Sequence, residues 1–76
     1  MNASDELQAA ASAIRVSTTP GASQIADLLE ETARMARISE GVWQLAGYSA
    51  EKQAELAESK WRRELAVARA LGRKGR

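Results

Sequence analysis

The chain predicts an all-α, antiparallel three-helix fold, with a short helix 1 packed on a long helix 2–helix 3 hairpin. Three observations carry that prediction. Apolar residues recur at steps of three and four along most of the length, which is the spacing of one helical face. Alanine, the strongest helix former, contributes heavily to the 45% hydrophobic content. Turn chemistry is concentrated in two short stretches, Ser17-Thr18-Thr19-Pro20-Gly21 and Gly47-Tyr48-Ser49. Connections this short make sequential helices antiparallel neighbours.

The first helix is expected from about Ser4 to Val16. Asn2 or Ser4 can cap it, and Asp5 and Glu6 then lie in the first turn, where the helix dipole favours negative charge. Leu7, Ala10, Ala11 and Ile14 form one narrow apolar face, and Arg15 suits the C-terminal end. Pro20 disfavours helix at Thr19 and Gly21 loosens the chain beyond it, so the helix stops there. Thr19, with Pro20 in the first helical position, or Ser23 is expected to cap the next helix.

The second helix should run from near Ala22 to about Ala46. Ile25, Leu28, Thr32, Met35, Ile38, Val42 and Leu45 form its expected core stripe, widened by Leu29, Ala36 and Trp43. Gly41 costs about 1 kcal/mol relative to Ala inside a helix. Ser39 is positioned to cap a restart, so a kink or a new helix at Gly41 is the alternative. Gly47 suits the left-handed residue that ends a helix, and Ser49 suits the N-cap of the third. The third helix is expected to reach Leu71 or Gly72 through Ala54, Ala57, Trp61, Leu65 and Ala68, with Glu58 and Arg62 pairing at i,i+4. Residues 1–72 thus make one helical domain and residues 73–76 a basic flexible tail.

Composition limits the function. A chain of 76 residues buries only about 60% of the surface its unfolded form exposes, so its core is thin. It holds no Cys and no His, which removes disulfides, thiolate metal sites, and the commonest metal ligand and general base. Glu51, Glu55 and Glu58 fall on a face expected to be solvated, where carboxyl pKa values stay ordinary. Gly72-Arg73-Lys74-Gly75 follows a helix instead of opening one, so it is no phosphate loop. Neither catalysis, a cofactor, a metal nor a small-molecule substrate is expected. The acidic N-terminus lacks an apolar segment and no run is long enough to span a membrane, so a cytoplasmic location is the expectation.

Two surfaces remain as candidates. With antiparallel neighbours, Ile14 is expected near Ile25 and Leu7 near Thr32, so the first helix leaves the distal half of the hairpin uncovered. Ile38, Val42, Trp43, Leu45, Tyr48 and Leu56 lie in that half, and exposed apolar patches of this kind mark interfaces. The expected function is a non-enzymatic protein–protein interaction module that pairs with itself as a homodimer, or with another protein, through that end, with Trp43 as an anchor. Trp61 is expected in the core with Arg34 over its ring.

The second surface follows from charge. Residues 1–59 carry four cations against nine carboxylates, net −5, whereas residues 60–76 carry seven cations against Glu64, net +6. Arg62, Arg63, Arg69, Arg73, Lys74 and Arg76 form a basic strip that suits phosphates or an acidic partner. A nucleic-acid-binding accessory protein is therefore the alternative.

Two short resemblances bear on these readings. Gln44-Leu45-Ala46-Gly47-Tyr48-Ser49 resembles the turn of helix-turn-helix regulators, which implies DNA binding. Trp43 and Gln53 stand where that family places small or buried residues, so the likeness is confined to the turn. Trp43 between two long helices is also similar to the small secreted hairpins with a Trp-x-Gly turn, but Leu45 occupies the glycine position.

Overall fold

The computed structural model describes residues 2–74, with side chains through Gly72. The described residues are all-helical, with four helices: α1 (Ala3–Arg15), α2 (Ala22–Leu45), α3 (Ala50–Lys60) and α4 (Arg62–Lys74). The described residues contain no strand. The molecule is elongated, 42 × 20 × 17 Å, because α2, at about 1.5 Å per residue, is itself about 36 Å long.

Local chemistry sets most helix ends. Asn2 caps α1, its Oδ1 accepting from the Asp5 backbone N–H at 2.9 Å. A second cap comes from the distant Glu40 of α2. Its carboxylate accepts from the Ser4 hydroxyl at 2.6 Å and from the Ser4 backbone N–H at 3.3 Å. That amide is one of the donors a helix start leaves unpaired, and a carboxylate there also complements the helix dipole.

The start of α2 differs from expectation. Neither Thr19 nor Ser23 caps it; Gly21 does so in the left-handed region at φ 84°, with no side-chain hydrogen bond. Its end is a Schellman motif, with Tyr48 N–H donating to Trp43 O and Gly47 N–H to Gln44 O, both at 3.0 Å. Gly47 supplies the left-handed residue, φ 82°. Ser49 then caps α3, its Oγ accepting from the Lys52 backbone N–H at 3.1 Å. Between these ends α2 is continuous through Gly41.

The expected single third helix is instead two, joined at Trp61. Trp61 leaves helical geometry at φ −118°, ψ 35°, yet its N–H still donates to Ala57 O and its carbonyl still accepts from Leu65 N–H, both at 2.9 Å. The junction is therefore a kink with its hydrogen bonds retained. Neither Gly nor Pro lies beside it to announce the bend. Burial accompanies it: the indole is 4% exposed and meets the Trp43 ring at a centroid distance of 5.8 Å and a 46° tilt. Lys60 Nζ, and not the expected Arg34, covers the Trp61 ring at 5.3 Å.

The α1–α2 pair is the main packing unit, with α4 lying against α1. Its antiparallel register is read from three cross-links: Arg15 to Asp27 and Glu30 near the loop, Gln8 to Arg37, and Ser4 to Glu40. Leu7 consequently lies level with Arg37 and Ile38, more than a turn beyond its expected partner Thr32. Helix α1 thus covers α2 as far as Glu40.

The face that α2 turns inward also differs from the expected stripe. Ala22, Ala26, Leu29, Ala33 and Ala36 are buried, and they join Leu7, Ala11, Ala57, Trp61, Leu65 and Ala68 to form the core. Of the expected stripe, Thr32 is buried, with its hydroxyl donated to Leu28 O, and Ile25 is half-buried. Leu28, Met35, Ile38, Val42 and Leu45 are exposed. The buried set steps by 4, 3, 4 and 3, so periodicity alone favoured neither face. Small side chains let helix axes approach closely, and α1 contributes Ala11 to the core, with Ala3 and Ala10 partly buried against it.

Candidate interaction face on the outer side of α2

At about 100° per residue, Leu28, Met35, Ile38, Val42 and Leu45 occupy an arc of about 100°, centred about 170° from the buried alanines. Helix α2 therefore has two apolar faces, one closed by its own chain and one open. The open face extends over about 26 Å. It is well exposed: Leu45 is 91% accessible, Ile38 67% and Val42 58%.

Its spacing is regular. Residues 28, 35, 38, 42 and 45 fall on alternating three- and four-residue steps with one position, 31, filled by Glu31. That is the a/d pattern of a helix that packs against another helix. Exposed Arg34 and Gly41 lie on one rim, and Ser39 on the other. Gly41 has no internal explanation, because a Cβ there would meet nothing within 4 Å.

The residues selected from sequence divide between environments. Ile38, Val42, Leu45 and Tyr48 are exposed, the first three together on the outer face and Tyr48 just past the helix end. Trp43 turns inward onto Trp61, and Leu56 is half-buried on α3. Sequence reasoning missed Leu28 and Met35, which extend the outer face toward the N-terminal half of α2. Their heptad spacing was visible, but it fitted the core equally well.

The basic strip is partly engaged inside the fold. Arg69 forms a bidentate pair with Glu6 of α1, at 2.7 and 3.3 Å, and also binds Glu58 of α3. These hydrogen bonds, Glu58 first, raise the Arg69 pKa, and Arg69 in turn holds the Glu58 carboxyl below the usual glutamate range. One guanidinium thus ties three helices together, and Glu58 pairs with Arg69 instead of the expected Arg62. Arg62 and Arg63 are exposed. The side chains of Arg73 and Lys74, and all of Arg76, lie outside the described residues.

A cleft of about 490 Å³ opens beside this cluster, between the start of α1 and the inner side of α3. Glu6, Glu40, Gln44, Gln53, Glu58 and Arg69 give it polar walls. Glu40 is committed to Ser4, and Glu6 and Glu58 to Arg69, so its charged groups serve structural contacts. Among the described residues no group of three acidic side chains converges to hold a metal ion, and no helix is long and apolar enough to cross a membrane. Neither a protein family, nor a characterised protein, nor a solved structure matches the chain.

Proposed function

We propose that this protein is a non-enzymatic helical interaction module whose docking surface is the outer face of α2, from Leu28 to Leu45 and on to Tyr48. One observation carries the reading: apart from Leu29, the fully buried apolar residues of α2 are alanines, while Leu28, Met35, Ile38, Val42 and Leu45 stay outside. Each large apolar side chain, fully buried, contributes about 1.5–3 kcal/mol. A short chain with a thin core that leaves five such groups in water on one helix has unused binding capacity, arranged at the spacing a second helix recognises. The nucleic-acid alternative loses Arg69, which is engaged by Glu6 and Glu58, and keeps the exposed Arg62 and Arg63.

The double substitution Ile38→Glu/Val42→Glu tests this reading. It should preserve helical circular dichroism while abolishing both self-association and binding of a hydrophobic dye. A wild-type protein that neither associates nor binds more dye than the variant would contradict it.

A further inference from the structure

Resting on that reading, we infer that the occupant of the outer face is a second copy of this chain, with the two α2 helices antiparallel about a two-fold axis level with residue 40. Spacing gives the first reason. Met35, Ile38, Val42 and Leu45 step by 3, 4 and 3, which reads the same in both directions. A two-fold centred at residue 40 therefore sets Met35 against Leu45 and Ile38 against Val42 of the other copy, each pair occurring twice. An isologous interface requires this self-complementarity.

Gly41 gives the second reason. It sits inside an intact helix with open space where its side chain would be, so neither a turn nor close packing within its own chain accounts for it. In the antiparallel register the Gly41 residues of the two copies lie across from one another on the rim beside the axis. The missing side chains allow the two backbones to approach closely there.

Charge selects the orientation. A parallel, in-register pair would place Glu31 against Glu31 within the seam, and like charges at that position repel. An antiparallel pair centred at 36–37 would bury Glu31 against Val42. With the centre at 40, Glu31 leaves the seam, because the position it would face lies beyond the end of α2 at Leu45.

The chain has no cysteine, so a single introduced thiol can be labelled cleanly. A nitroxide on Glu31→Cys should report an interchain distance of about 30 Å, because the two labels are separated by about 18 helical rises as well as the interaxial gap. Gly41→Leu should weaken association at least about tenfold by overpacking the rim, without loss of helicity. A label distance of about 10 Å, the interaxial spacing, would overturn the antiparallel arrangement and leave the interaction module standing. A wild-type monomer that still binds dye through Ile38 and Val42 would overturn self-pairing alone. Association that survives Ile38→Glu/Val42→Glu would overturn both.

Discussion

The two apolar faces of α2 share one helix and one periodicity but differ in side-chain size. Ala22, Ala26, Ala33 and Ala36, with Leu29, face inward; Leu28, Met35, Ile38, Val42 and Leu45 face outward. If burial within the monomer alone decided the orientation, the larger set would go inside. What decides it is fit between neighbours. Helix α1 brings the small residues Ser4 and Ala11 into the core, and Glu40 must reach Ser4 while Trp43 reaches Trp61. All of those groups lie on or beside the alanine face. The contrast teaches that apolar periodicity identifies a helix that packs, while the fit of side-chain sizes to the neighbouring helices decides which of its two apolar faces the chain closes and which it leaves open.

The largest expected difference between the faces is in stability. Leu29→Ala should destabilise the fold by about 2–5 kcal/mol, a large share of the total for a chain this small. Leu45→Ala should shift the unfolding free energy of the monomer by no more than about 0.5 kcal/mol. Urea denaturation of dilute protein separates the two, and equal costs would mean that the outer face is covered by the chain itself. Next in size is overpacking: Ala33→Leu should cost about 1–3 kcal/mol, whereas Met35→Leu, two residues on but facing outward, should be close to neutral.

A smaller effect concerns the end of the alanine face. Glu40→Ala removes the second cap of α1 and should cost about 1 kcal/mol, with faster amide exchange at Ser4 as the local signature. Unchanged exchange there would remove Glu40 from the account. The smallest effect is a pH dependence. Arg69 depresses the Glu58 pKa, so the stability this pair contributes is fully present above the ordinary glutamate value and is lost as pH falls through the depressed one. Glu58→Gln should flatten that acid limb of the stability profile. The change should be slight, because both side chains are about half exposed.

Much of the fold was legible in the sequence because local signals marked it. Asn2 and Ser49 are caps, Gly47 ends α2, and Trp61, Leu65 and Ala57 enter the core. What escaped was governed by contacts between distant residues. The kink at Trp61 has no breaker nearby and accompanies the meeting of two indoles 18 positions apart. The Glu40 cap and the Glu6–Arg69–Glu58 cluster join groups from separate helices. The register of α1 on α2 runs more than a turn beyond the expected one, because the loop from Val16 to Gly21 fixes no unique pairing. The outer face was half legible: Ile38, Val42 and Leu45 were singled out because no third helix reached them. Leu28 and Met35 were assigned to the core because a large aliphatic residue at helical spacing is ordinarily buried.

The central claim is that the outer face of α2 joins two copies of this chain. Its most direct test is molecular mass in solution, measured by light scattering across a dilution series at low and high salt, for the wild type and for Ile38→Glu/Val42→Glu. The account predicts a wild-type dimer that dissociates on dilution, changes little with salt because its contact is apolar, and is absent in the variant. A wild type that remains monomeric at every concentration, or a dimer that dissolves in salt but persists in the variant, would contradict it.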